Sequence, residues 1–451
     1  MSLWISLLSQ HNGVSEKATR LIFGIILSYP VFWIFRGTFL SKSSADLQHV
    51  FFIITGLALS WWTFDLDAIY HGSFCILVTY MIISVFSPTY YSTLLSFIFN
   101  FGYLVVGYWF TETDSYDICW TMPHCVLTLR LIAVSFDTWD GTKKTESLGN
   151  DQLKNRLKTP PSLLELFSSV FFPASYFIGP QFSLVRYRSF VKRNEDGDIP
   201  VPPYFMALRR ILLGVMYLIF HIVGSIYIPL DWITTPNYLN RSFGPVKVVL
   251  AFLWVKIMMS KYIGSWLLSE GSMIFSGLAY DPSSETDAWF GGANVRIKQW
   301  EFSGNLQNMI DSFNINTNLW SASYIYKRLK GLNNRTLSAG ITLLFLALWH
   351  GLHSGYYTTF FLEFLMLNFE RSLSGIGKQV SPYLGKFGGS IIGVIYIMLV
   401  LPHCFLPFGL LTWDKYWPVI KGSYGMPYGF FLIWPFVIKG IQSNLHTKKV
   451  I

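Results

Sequence analysis

The stretch ITLLFLALWHGLHSGYY, Ile341 to Tyr357, decides how the chain is to be read. Its opening run, Ile341 to Trp349, carries no charge, and two histidines, His350 and His353, follow at once. A run this apolar belongs in a buried or membrane-embedded helix, where a polar side chain without a partner costs free energy. An imidazole at its end therefore needs a reason, and the rest of the chain says which medium surrounds it.

The chain has 451 residues, 52% of them hydrophobic, 18% aromatic and only 13% charged. Soluble proteins average about 25% charged residues, so this chain is solvated largely by lipid. Its apolar residues cluster in Leu21 to Phe35, Val50 to Trp62, Phe74 to Phe86, Leu94 to Phe110, Leu163 to Phe182, Ile211 to Leu230, Val246 to Leu268, Ile341 to Trp349, Tyr356 to Leu367, Ile391 to Leu411 and Tyr428 to Val437. They predict an all-α polytopic membrane protein of about eleven helices, several shorter than the roughly 20 residues needed to span alone and so short or tilted within one bundle. The opening MSLWISLLSQHNG lacks the basic region and small-residue site of a cleavable signal, which leaves the first apolar segment to act as an internal anchor. Cys75, Cys119, Cys125 and Cys404 are scattered and give neither a disulfide framework nor a metal pattern.

The net charge of +9 is concentrated in TKKTESLGNDQLKNRLK, RYRSFVKR and the terminal HTKKVI. In a membrane protein such basic connections face the cytosol, and nucleic-acid binding is set aside. They also favour a polyanionic ligand such as a phosphorylated cofactor, although orientation alone accounts for them. The final residues, 448–451, have the form of a dilysine retrieval signal of endoplasmic reticulum membrane proteins, which is read by cytosolic coat proteins and would hold the C-terminus in the cytosol.

No internal repeat or low-complexity block divides the chain, so residues 1–451 read as a single membrane domain with three polar interruptions. The first, 137–161, ends in two prolines that stop one helix before Ser162, which can cap the next. The second, 186–203, contains NEDGD and PVPP and reads as a connecting surface loop. The third, 280–334, is too rich in aromatic and amide residues for a linker and too long for a structureless loop. It predicts short amphipathic or re-entrant helices.

Placed three apart on one helix, His350 and His353 would share a face. As metal ligands they lack the glutamate of an H-E-x-x-H pair and a third donor. As packing residues they would hydrogen-bond a neighbouring helix. As a general base, one of them would have to stay neutral near pH 7, which burial favours by penalising imidazolium. Gly351 and Gly355 would clear space around His350, with Trp349, Tyr356 and Tyr357 as aromatic walls.

WHGLHSGYYTTFF resembles the W-H-G-x-x-x-G-Y-x-x-x-F motif of the membrane-bound O-acyltransferase family, in its lysophospholipid acyltransferase branch, with Trp349, His350, Gly351, Gly355, Tyr356 and Phe360 in place. FNINTNLW followed by YIYKRLK is similar to the branch's segment carrying a second active-site residue, at Asn314. LTLRLIAVSFD and YFIGPQFSL extend the resemblance over about Leu127 to Phe360. The resemblance implies transfer of an acyl chain from acyl-CoA, a co-substrate rather than a bound cofactor, to the free sn-2 hydroxyl of a lysophospholipid at the endoplasmic reticulum. It also implies an internal reaction chamber, a polyunsaturated acyl chain, and choline, ethanolamine or serine headgroups. His350 would be the base. Asn314 would orient the imidazole or stabilise the oxyanion, and KGLNNR, Lys330 to Arg335, would turn the chain back so that the two can meet.

His353 would line the headgroup site or serve a structural bond. Arg130, in an apolar stretch, demands a partner: a carboxylate, a water-filled cavity or a CoA phosphate. Arg186, Arg188, Lys192 and Arg193 are candidates for the phosphorylated end of CoA, or simply solvated loop residues. The sequons at Asn240 and Asn334 mean little without topology. Two rival functions remain at this point, a transporter and a protein O-acyltransferase of the same family. A transporter would spread its ionisable residues over several helices, whereas here the informative residues gather in one long segment and one helix.

Overall fold

In a computed structural model, the described residues are 15–86, 88–198, 200–282, 284, 288–423 and 425–447. The N-terminal stretch 1–13 and the dilysine signal at 448–451 lie outside them. Among the described residues the fold is helical, with one isolated β-bridge between Val295 and Phe313.

The helices are α1 (Glu16–Gly37), α2 (Ala45–Val85), α3 (Tyr90–Thr111), α4 (Thr121–Gly141), α5 (Asn150–Asn155), α6 (Leu163–Val170), α7 (Leu184–Glu195), α8 (Tyr204–Tyr227) and α9 (Pro236–Leu239). They continue as α10 (Pro245–Ser276), α11 (Ile297–Phe302), α12 (Leu306–Asp311), α13 (Ile315–Tyr324), α14 (Arg335–His350), α15 (Ser354–Leu410), α16 (Trp413–Lys421) and α17 (Met426–Thr447). By its packing the chain divides into two compact units. One comprises Met1–Tyr217, Tyr262–Asn294 and Ile315–Gly331, the other Leu218–Lys261, Val295–Asn314 and Leu332–Ile451.

Apolar segments and helices do not match one to one. Val50 to Trp62 and Phe74 to Phe86 fall in or at the end of the single helix α2, which kinks where Asp65 takes φ 59°. Tyr356 to Leu367 and Ile391 to Leu411 lie along α15, 57 residues long. Five stretches among the described residues are long and apolar enough to cross a membrane: Glu16–Gly37, Ala45–Val85, Tyr90–Thr111, Tyr204–Thr234 and Ile391–Leu410. Large apolar side chains such as Trp61, Phe110, Phe205 and Ile226 stand exposed on these helices, as lipid-facing residues do.

Within the first unit, α1, α2, α6 and α7 bury a cluster of aromatic rings. Phe35 and Phe52 lie 4.7 Å apart, and Phe52 and Phe172 4.9 Å. The predicted helix from Leu163 to Phe182 forms only as α6, with Ser162 capping it by accepting from Glu165 N at 3.1 Å. Pro173 cannot continue a helix, and residues 171–183 run on as buried irregular backbone. The expected loop 186–203 is helical through Glu195, because Ser183 caps α7 and Tyr187, Phe190 and Val191 provide a buried face. The 137–161 interruption begins inside α4 and is tied back by Leu157 N to Asp137 O at 2.9 Å. The 280–334 segment folds into short helices, as its composition predicts.

In the second unit the Lys247 ammonium is buried and donates to three carbonyls, of Leu239, Arg241 and Gly422, at 3.1, 2.9 and 3.1 Å. It ties the start of α10 to the end of α16.

Candidate active site

Asn334 starts α14 by accepting from Leu337 N at 3.0 Å, just after Asn333 turns the chain with φ 49°. The helix stops at His350 because Gly351 adopts φ 140°, a backbone that side chains other than glycine rarely take. Its N–H returns to Leu348 O at 3.2 Å. His353 then stands at the N-terminal cap position of α15, with its ring 5.9 Å from Tyr356. The two histidines therefore belong to different helices and do not share a helix face, which corrects the expectation drawn from their spacing.

Gly355 N donates to Leu411 O at 2.7 Å, and a Cβ on Gly355 would lie 2.1 Å from Pro407 O. Its small size lets the two ends of the helical stretch α15 meet, so this stretch of 57 residues doubles back on itself. Beside this closure, Ala347, Tyr356 and Leu411 form a buried cluster with Tyr357, Phe360 and Phe408 packed against it.

His350 is partly exposed and makes a 2.7 Å bond between Nδ1 and Leu346 O. A carbonyl can only accept, so the hydrogen of a neutral imidazole sits on Nδ1 and the lone pair is left on Nε2. Trp349, Phe360, Phe408 and Tyr356 surround the ring at 4.7, 5.2, 5.4 and 5.8 Å. The arrangement is a half-open aromatic box around an imidazole whose basic nitrogen is fixed by the backbone.

Asn314 lies in the same unit, just past α12. The chain before it is paired by the Val295–Phe313 bridge and by Arg296 N to Ser312 O at 2.9 Å. Asn314 itself takes φ 49°, the left-handed region that few residues other than glycine and asparagine enter. Phe313 stacks on Trp300 at 4.7 Å and meets Phe405 at 6.5 Å. Phe405 meets Phe408 at 6.4 Å, and Phe408 in turn packs on His350. One row of rings thus leads from the neighbour of Asn314 to the imidazole.

The cationic candidates all lie in the first unit. Arg130 is 5% exposed, and among the described residues it bonds backbone carbonyls and a serine hydroxyl. Nη1 donates to Ser169 O and Val170 O at 3.0 and 2.9 Å, and Nη2 to Ser175 O and Oγ at 3.0 and 2.7 Å. The guanidinium closes the end of α6 and satisfies the irregular backbone that follows, with Phe182 stacked 4.2 Å away. Arg186 pairs with Asp281 at 3.1 Å, and Arg188 forks onto Glu165 at 2.6 and 2.9 Å. Lys192 is exposed.

Sequence reasoning missed a polar seam in the same unit. Tyr324 donates to both carboxylate oxygens of Asp137, at 2.8 and 3.0 Å, and Arg328 forks onto Asp140. Lys327 pairs with Asp151, and Trp320 donates to Leu129 O at 2.9 Å. Aspartates three apart facing a tyrosine and an arginine four apart were the legible signal, but nothing in the spacing said that the two segments pair.

The profile described as MBOAT, membrane-bound O-acyltransferase family, matches residues 105–402. The chain is 37% identical to lysophospholipid acyltransferase 5 of Homo sapiens, over 99% of this chain and 93% of that protein. The chain belongs to the membrane-bound O-acyltransferase family. Lysophospholipid acyltransferase 5 of Drosophila melanogaster is 37% identical over 93% of this chain and 86% of its own length, and that of Caenorhabditis elegans 33% over 99% and 97%. The MBOAT match takes in α14, His350 with Trp349, Tyr356 and Phe360, and the Asn314 segment.

Proposed function

We propose that the protein is an acyl-CoA-dependent lysophospholipid acyltransferase. It re-acylates the free sn-2 hydroxyl of lysophosphatidylcholine, and of the ethanolamine and serine analogues, with polyunsaturated chains. Near full-length similarity to lysophospholipid acyltransferases 5 supports the substrate class. The observation that carries the chemistry is the Nδ1 bond of His350 to Leu346 O, which leaves Nε2 as the proton acceptor.

The reaction follows from that geometry. Nε2 of His350 takes the hydroxyl proton as the glycerol oxygen attacks the thioester carbonyl carbon, forming a C–O bond and a tetrahedral oxyanion. Collapse of the intermediate breaks the C–S bond. The CoA sulfur leaves with the electron pair and takes the proton back from Nε2, giving phospholipid and free CoA. The Asn314 side-chain N–H donates to the oxyanion, and losing such a donor costs roughly 10²–10³ in kcat. The enzyme resides in the endoplasmic reticulum membrane with its C-terminus in the cytosol, retrieved by coat proteins through Lys448 and Lys449.

The test is release of CoA by purified protein given arachidonoyl-CoA and lysophosphatidylcholine. Turnover is expected, with His350→Ala inactive yet folded and membrane-inserted, and Asn314→Ala reduced about a hundredfold or more. Wild-type turnover in His350→Ala would remove the base. Transfer to a peptide serine in place of the lysolipid would move the protein to the protein-acylating side of the family.

A further inference from the structure

Five acidic side chains are buried among the described residues, and four of them are held by partners. Asp137 accepts from Tyr324, Asp140 pairs with Arg328, Glu165 with Arg188 and Glu270 with Arg210. The fifth is Glu363, on α15 in the second unit. It is only 9% exposed, yet it has neither a hydrogen bond nor an ion pair among the described residues.

One turn earlier on α15, Thr359 is 2% exposed, and its hydroxyl also lacks a hydrogen-bond partner among the described residues. Side chains three and four apart on a helix are neighbours, so Thr359 and Glu363 share one strip of α15. Phe360 borders both, and its ring lies 5.2 Å from that of His350. Glu370, seven residues beyond Glu363, shows what a structural acid does on this helix. Its carboxylate oxygens accept from Leu306 N and Gln307 N at 2.5 and 3.0 Å and close the start of α12. Asp311, at the other end of α12, acts on Glu363 electrostatically with the same sign. A hydroxyl and a carboxylate buried without partners cost free energy. That cost is recovered when a ligand brings an acceptor for the one and a positive charge for the other.

We propose that this strip holds the headgroup of the acceptor lipid, with Glu363 as the counter-charge of its ammonium nitrogen and the Thr359 hydroxyl donating to its phosphate. The inference rests on the reading of the acceptor as a lysophospholipid and deepens it. The choline, ethanolamine and serine acceptors all have a phosphate and, beyond it, a positively charged nitrogen. The order of groups along the lipid, from reacting hydroxyl to phosphate to nitrogen, matches the order along the chain, from His350 to Thr359 to Glu363. Phe360 stands beside the carboxylate, and quaternary ammonium groups are bound by aromatic rings as well as by charge.

The experiment measures CoA release from arachidonoyl-CoA with lysophosphatidylcholine as acceptor and lysophosphatidylglycerol, which has the phosphate but no positive charge, as competitor. In Glu363→Gln the KM for lysophosphatidylcholine is expected to rise about tenfold or more, because a buried cation loses its counter-charge. The inhibition constant of lysophosphatidylglycerol should not rise, and kcat and the KM for arachidonoyl-CoA should stay within about twofold. Thr359→Val is expected to raise the constants of both lipids together, about threefold or more, because they share the phosphate. A merely structural role for Glu363 would move both lipids equally.

An unchanged KM for lysophosphatidylcholine in folded Glu363→Gln overturns the site, and so does an equal rise for the two lipids. Should Glu363→Gln fail to fold, Glu363→Asp, which draws the charge back from the nitrogen, is measured in the same way. A rise confined to lysophosphatidylcholine is expected there, and any other result overturns the site. Wild-type protein that releases no CoA with lysophosphatidylcholine refutes the acceptor class instead, which separates the two failures.

Discussion

At Gly355 one missing methyl group decides a packing arrangement. A Cβ there would sit 2.1 Å from Pro407 O and 2.6 Å from Leu411 O. Gly355→Ala is therefore expected to lower stability by about 1–3 kcal/mol, read as an earlier thermal transition of detergent-solubilised protein. Gly355→Ala with an unchanged transition would mean that the ends of α15 need not touch. Arg130 poses the opposite problem, since its removal strands carbonyls. Each buried acceptor left without a donor costs about 1–3 kcal/mol, so Arg130→Ala should destabilise strongly while any folded fraction keeps the wild-type KM for acyl-CoA. A KM raised tenfold in folded Arg130→Lys would instead return the residue to the CoA site. The sequence showed that both positions were special without showing what each one touches. Gly355 looks the same whether its space is filled by a ligand or by a backbone, and Arg130 shows its need for a partner without naming it.

At the level of elements, the seam between α4 and the Tyr324 to Arg328 stretch sets the stability of the segment that follows Asn314. Asp140 is fully buried and bonds Arg328, Lys143 and Gln152. Removing one partner of a buried ion pair costs roughly 3–5 kcal/mol. Arg328→Ala should fall at the low end of that range, because Lys143 remains 2.9 Å from the carboxylate. Arg328→Ala together with Asp140→Asn should be milder than the sum of the two, and a fully additive double mutant would show that the bond carries no coupling. Helix ends were partly legible, as Ser162 and the turn residues at Asn333 and Asn334 show. The break at Gly351 was not, since a glycine after a histidine fits equally well inside a helix. The same ambiguity placed a loop over α7, whose buried face of Tyr187, Phe190 and Val191 is hidden among basic residues.

For the molecule as a whole, composition alone announced a lipid-solvated helical protein, and the motif around His350 announced its family. Neither could report the division into two units, which depends on long-range packing, nor the merging of apolar segments across kinks such as Asp65. The proposed residence in the endoplasmic reticulum is tested on the whole chain. Replacing Lys448 and Lys449 by serine should move tagged protein from the endoplasmic reticulum to later compartments, and an unaltered distribution would assign retention to another segment.

The bond from His350 to the carbonyl one turn back has a kinetic corollary. In the proposed reaction, with one nitrogen tethered, the ring would have a single door: the hydrogen collected from the alcohol would depart through the atom at which it arrived. On that proposal the side chain would regain its starting form within each cycle, needing neither a relay to bulk water nor an auxiliary acid to recharge it.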